Sequence, residues 1–453
     1  MECWIFAHIP IEHWHERWIA NYPTIFDAWE DGGVRGLVVG RLRLLQPDGS
    51  FARAFTPDPK VYDRFGVSPP ADEPIDAEKE KKLHEILDNA ADRGWHIMTF
   101  DAPGGGNRPL EEDPYGEFRF AAAFQDLARA FPQVKGVIID GPKEQHYELA
   151  WHHGSELLQT REKDGFAHLG YDLDRLERGI AHLRERFHNL TPDLVRYHAP
   201  GGLLAGLILF DINEDALYWL RARQEVGLGM ATSLRRAVDR VDRKMELGLI
   251  PRITAFSSLT GQNYQQMAPH LDYIFPKHYY WHRGFDGMYG TVQRWVQKFV
   301  EWNPSLGEED GFTLVKSLFG LELPGVNSLY DLERGFPPEF FSEVVYEQTR
   351  RALDAVGNDD KVVFWVSASS REPHAGDPMP ARDLHGILQA TKDAGAKRFL
   401  FHPEPDINAP AWHLISRLCG NPWNETTSAY WPGDTWREDI EGYGTFRSAQ
   451  TKN

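Results

Sequence analysis

The 453-residue chain has only two cysteines, Cys3 and Cys419, too few for a disulfide framework or a cysteine-based metal site. It has no apolar run near the roughly 20 residues that cross a bilayer, which excludes a helical membrane span. It also lacks positive charge: 49 Lys and Arg against 67 Asp and Glu give a formal charge of −18. Nucleic acid and anionic membrane surfaces are therefore excluded as partners, because both are held through a basic face. No G-x-G-x-x-G opens a helix after a strand. Gly104-Gly105-Gly106 runs into Asn107-Arg108-Pro109, which cannot begin a dinucleotide site, and no cofactor is expected. The N-terminus, Met1-Glu2-Cys3-Trp4-Ile5-Phe6, has neither a basic region nor a small-residue cleavage site, so the expected compartment is the cytoplasm. There is no internal repeat and no low-complexity tract.

What the chain does have is a succession of short apolar runs, each followed by a polar or Gly/Pro-rich loop and then a helical pattern, the signature of βα units. Eight strands are expected at Cys3–His8, Gly36–Gly40, Trp95–Asp101, Gly136–Asp140, Arg252–Ser257, Asp272–Lys277, Val362–Ser367 and Arg398–His402. Runs such as Val362-Val363-Phe364-Trp365-Val366 suit strands buried on both faces, as in a parallel barrel. Amphipathic helices are expected over Asp76–Arg93, Phe118–Phe131 and Asp383–Ala394, the first and last stopped by Gly94 and Gly395. The fold class is thus α/β, one (β/α)8 TIM barrel over residues 1–420 with long insertions in its upper βα loops. A tail, 421–453, is expected to pack on it.

Three intervals exceed simple connections. Residues 41–75 read as a loop over the barrel mouth. Residues 141–250 read as a helical insertion, with helices at Asp174–His188 and Glu214–Glu225, and residues 279–361 as a long loop region. All three follow strand C-termini, the face on which barrels carry their sites.

The strand ends hold the groups that could do chemistry. Asp101 closes the third strand and Asp140 the fourth, with Glu144 just beyond. A carboxylate after a buried run is costly unless it faces a polar mouth or meets a partner, and two on neighbouring strands suit an acid/base pair. Capping of the following turn is the competing role, and Asp101-Ala102-Pro103 favours it. The sixth strand ends in Lys277-His278-Tyr279-Tyr280-Trp281-His282-Arg283, with Asp286 in the Gly-rich loop that follows. Lys277 there could pair with a carboxylate, bind a hydroxyl-rich ligand, or act as a Schiff-base amine. His278, Trp281 and Arg283 are candidate ligand contacts beside it. On the first strand His8 is a candidate contact, whereas His13-x-His15, expected on the opening helix, would point apart, and no metal is assigned. The seventh strand ends in Ser367 rather than an acid, and the eighth presents His402 and Glu404 between prolines.

In its acidic strand ends, long upper loops and aromatic-rich mouth, the chain from Cys3 to Gly420 resembles the barrel-fold glycoside hydrolases. That resemblance implies cleavage of a glycosidic bond by paired carboxylates, with a carbohydrate or other polyhydroxy molecule as partner. The commonest plan in that group places acids on strands four and seven, and Ser367 departs from it. A plan with acids on strands four and six would use Asp140 and Asp286, with Glu144 or Asp101 as other sources of the acid. The barrel aldolases supply the alternative of a Schiff-base lyase using Lys277, and a non-catalytic sugar-binding barrel is the third reading. A homodimer is compatible with the sequence, which does not fix the oligomeric state.

Overall fold

The computed structural model describes residues 1–71, 73–100, 108, 112–141, 160–280, 287–367 and 379–432. Its centre is an all-parallel sheet. β1 (Glu2–Phe6) is followed by β2 (Val34–Val39), β3 (His96–Phe100), β4 (Gly136–Asp140) and β5 (Glu246–Ile250). β7 (Val363–Ser367) and β8 (Arg398–His402) complete the other side. The sixth strand comes in two stretches, Tyr273–Ile274 and Lys277–His278, parted at Phe275-Pro276. The first stretch pairs with β5 and the second with β7, and Ile274 bridges Val362. Taken as one strand, β6, it closes the ring, because β8 pairs with β1. The protein is a (β/α)8 barrel with long insertions in its upper loops.

Pro276 explains the break. It has no N–H to give the ladder, yet its carbonyl accepts from Trp365 N–H at 2.9 Å, while Lys277 N–H donates to the Pro251 carbonyl at 3.0 Å. The strand therefore stays bonded on both sides across the gap.

Helices cover the outside. α1 (His8–Glu12) and α2 (Glu16–Asp31) follow β1, α3 (Ala77–Asp92) precedes β3, and α4 (Glu117–Ala130) precedes β4. The Asp76 side chain accepts from Glu78 and Lys79 N–H and starts α3, which buries Leu83, Ile86, Leu87 and Ala90. Between β4 and β5 lie α5 (Leu173–Phe187), α6 (Pro192–His198), α7 (Gly202–Leu209) and α8 (Glu214–Asp239). Then come α9 (Met288–Trp302), α10 (Glu308–Phe319) and α11 (Tyr346–Val356) before β7, α12 (Ala381–Asp393) before β8, and α13 (Ala409–Cys419). Beyond α13, Tyr430 is buried against Trp29 and Trp412.

Three expectations need correction. The fifth strand is Glu246–Ile250, not Arg252–Ser257; Pro251 ends it, and the apolar Ile253-Thr254-Ala255-Phe256 coils into a 3₁₀ turn. The interval expected as a helical insertion over 141–250 therefore includes a barrel strand at its end. Residues 41–75 are not one loop, for they hold a hairpin (Arg43–Leu45 with Phe51–Arg53) and a short helix, Pro59–Arg64. His13 and His15 lie between α1 and α2 rather than on a helix, with rings stacked 6.3 Å apart. Among the described residues no group of three or more His, Cys, Asp or Glu could hold a metal ion.

The barrel interior is unusually aromatic: Trp4, Phe6, Phe275, Tyr279 and Trp365 fill it with Val38, Met98, Ile138, Ile250, Val363 and Leu400. Glycine makes room for these rings. A Cβ at Gly36 would fall 2.3 Å from Trp4 Cγ, and one at Gly248 would fall 2.5 Å from the Phe275 ring.

Candidate active site at the barrel mouth

Alternate residues of a strand point to opposite faces. From Ile138, which packs inside the barrel, the next inward position on β4 is Asp140, at the strand's C-terminal end. From Phe275 on β6 it is Lys277, and from Leu400 on β8 it is His402. These tips converge. Lys277 Nζ lies 3.1 Å from Asp140 Oδ1, across the intervening β5. The lysine side chain is 5% exposed and the aspartate 48%, so a buried cation is matched by a carboxylate that still reaches solvent. An unpaired ammonium at that depth would be too costly to keep.

Rings gather at the same end of the barrel. Phe6 packs on Phe100 at 5.3 Å and on Trp365 at 5.2 Å. It also stacks on His8 at 4.2 Å and on His402 at 4.9 Å. The two imidazoles lie nearly parallel, 5.6 Å apart, and Tyr279 stacks on His402 from the other side at 6.1 Å. Ser367 sits buried at the tip of β7, in register with His402.

A second carboxylate, not anticipated from the sequence, reaches this face. Glu12 on α1 is buried and accepts the Arg41 N–H at 2.6 Å. It comes that close to the tip of β2 because residue 40 is glycine: a Cβ there would lie 1.9 Å from Glu12 Oε1 and 2.8 Å from His8 Cβ.

Of the residues singled out from the sequence, the structure pairs Asp140 with Lys277 and stacks His8 on His402 at the same end of the barrel. It separates His278 from them. Its neighbour Lys277 points inward, so His278 points out, into the layer between barrel and helices. There it packs against Phe364 at 4.3 Å and Tyr280 at 4.9 Å, and its Nδ1 lies 3.4 Å from Thr391 Oγ1. Complete burial pushes its pKa down to about 3, so the ring is neutral at ordinary pH. His278 is corrected to a packing residue. Glu404 lies buried in the 3₁₀ turn after β8, where its charge adds to burial in pushing the Tyr430 phenol up. Asp101, Glu144, Trp281, Arg283 and Asp286 lie outside the described residues. Phe6, Phe100, Tyr279 and Trp365 were not singled out, although the two-residue alternation that selects Lys277 and Asp140 also selects them.

No family model matches the sequence, and no curated protein does. Among solved structures, the chain is similar to the PgaB (BpsB) glycoside hydrolase domain from Bordetella bronchiseptica, with 13% identity and a TM-score of 0.47 over 93% of this chain and 99% of that one. It is similar to the catalytic domain of beta-amylase from Paenibacillus polymyxa, with 10% identity and a TM-score of 0.44 over 98% of each chain. A chitinase from Chromobacterium violaceum shows 8% identity and a TM-score of 0.39 over 92% of this chain and 98% of that one. These neighbours are glycoside hydrolases by name, and at such identities no residue role passes from them to this chain.

Proposed function

We propose that the protein cleaves a glycosidic bond at the barrel mouth, with Asp140 as nucleophile or base. The observation that carries this reading is the Asp140–Lys277 pair, a half-exposed carboxylate held 3.1 Å from a buried ammonium at the end of the barrel where Phe6, Phe100 and Trp365 also pack. A carboxylate so fixed can attack an anomeric carbon or activate a water, and aromatic faces stack on the apolar faces of sugar rings. His8, Lys277 and His402 would contact the sugar, joined by Trp281 and Arg283. The acid is proposed to come from Glu144, Asp286 or Asp101. The same ion pair weighs against a Schiff-base lysine, because an amine must lose its proton to attack a carbonyl and a carboxylate neighbour favours the protonated form.

A panel of aryl glycosides and oligosaccharides tests the proposal. The wild type should hydrolyse at least one member, and Asp140→Asn should lower kcat/KM by about 10³-fold or more if Asp140 is a catalytic carboxylate. Variants Glu144→Gln, Asp286→Asn and Asp101→Asn then rank the acid, and the product anomer separates a retaining from an inverting reaction. Turnover by Asp140→Asn within a few-fold of wild type would remove Asp140 from catalysis, and binding without turnover across the panel would leave a sugar-binding barrel.

A further inference from the structure

Nine large hydrophobic side chains stand exposed among the described residues, and five of them lie within residues 197–208. Tyr197 is 81% exposed, Leu203 80%, Leu204 75%, Ile208 61% and Leu207 39%. They lie on α6 and α7, where the stretch Gly202-Leu203-Leu204-Ala205-Gly206-Leu207-Ile208-Leu209 has no charged or polar side chain. The helix is firmly seated by its other side. Leu209 and Phe210 are buried, Phe210 packs edge-on against Phe187 at 5.6 Å, and Arg186 Nε donates to the Leu209 carbonyl at 2.7 Å. The exposure is therefore a property of a fixed surface.

On that surface Leu203 and Leu207, and Leu204 and Ile208, are spaced i, i+4 and form two adjoining apolar rows. Exposed fractions of this size on five large side chains amount to roughly 600 Å², more than most monomers leave in one patch and close to the ~800 Å² per partner of a stable interface.

We propose that this face is the contact of a symmetric homodimer in which the Leu203–Leu204–Ile208 face of α7 packs on the same face of a second copy. A two-fold contact buries the same patch on both chains, so one apolar face satisfies itself. A lipid surface fits less well. Interfacial helices carry Lys and Arg along their polar side, whereas α7 has none, the nearby Arg196 is paired with Asp310 at 3.3 Å, and the chain carries −18 overall.

Sedimentation velocity and light scattering on the full chain test the proposal. At about 50 μM the wild type should run at twice the chain mass, well above the dissociation constant expected for an interface of standard size. Leu203→Glu with Leu204→Glu should weaken the dimer by at least about 30-fold, the effect of losing one interface hot spot. Ile208→Lys, at the other end of the same face, should dissociate it as well. Unchanged thermal melting of both variants would show that the monomer fold is intact. A monomeric wild type, a dimer that survives either variant, or a monomer that co-sediments with phosphatidylcholine vesicles would each overturn the proposal.

Discussion

Replacing Lys277 by Met separates what the buried ion pair does for stability from what it does for chemistry. At 3.1 Å the Coulomb attraction is about 1 kcal/mol in a water-like medium and about 5 kcal/mol at an effective dielectric constant of 20. Asp140 is 48% exposed, so screening draws the true value toward the lower figure. Against this stands the dehydration of an ammonium that is 5% exposed, an effective cost of several kcal/mol. Methionine fills nearly the same volume without that cost, and water can solvate the freed carboxylate. The dehydration cost matches or exceeds the attraction, so Lys277→Met should leave stability unchanged or raise it, with any loss below about 1 kcal/mol and any fall in Tm below about 4 °C. Activity should respond differently. The carboxylate loses the group that fixes its position, and a displacement of about 1 Å at a reacting centre costs on the order of 10²-fold in rate. Thermal melting, together with kcat/KM on a glycoside that the wild type hydrolyses, reads both effects. A loss of more than about 3 kcal/mol with kcat/KM within 3-fold of wild type would refute the reasoning and make Lys277 a structural residue.

Gly36→Ala would place a methyl 2.3 Å from Cγ of Trp4, which is 1% exposed, stacked on His96 at 4.9 Å and bonded through Nε1 to Glu2 at 2.7 Å. With no room for the indole to retreat, the variant should lose about 1–3 kcal/mol or more, and an unchanged melting temperature would contradict the inward orientation of Gly36. His278→Phe should flatten the acid limb of stability. The wild-type ring has its pKa lowered from 6.5 to about 3 on folding, so the unfolded chain binds the proton first and stability falls as pH drops from about 6.5 toward 3. Urea midpoints at pH 7 and pH 4.5 should therefore differ less in His278→Phe than in wild type, and equal differences would show that the ring titrates normally.

The barrel was legible because its strands are apolar on both faces and its helices are not. Seven of the eight strands lie where the apolar runs place them. The fifth was misread because Glu246-Leu247-Gly248-Leu249-Ile250 has a glycine at its centre, the weakest strand former available. That glycine is there for a non-local reason, since it yields to Phe275 on β6, a residue 27 positions along the chain. No local pattern reports such a contact. The helix expected over Glu214–Glu225 continues to Asp239 for a related reason. Its second half buries Ala231, Leu234, Ala237 and Val238 through small side chains that make a faint apolar stripe.

The site was legible only in part, and the missing step was parity. Once Phe275 is known to face inward, Lys277 must follow it to the mouth, while His8, the first residue of α1, reaches Phe6 and His402 from just beyond the end of β1. The same rule sends Phe364 and His278 outward, where they meet each other at 4.3 Å. A sequence reading that gathers His278 with Lys277 because they are adjacent reverses the geometry, since neighbours on a strand are the two residues that cannot share a face. Parity also says why this mouth is built of rings and charges together. Each inward column ends its apolar layers with one further residue, and at the tips of β4, β6 and β8 those residues are Asp140, Lys277 and His402. Glu12 escapes the rule because it comes from a helix, and it is visible only through the glycine at position 40 that admits it.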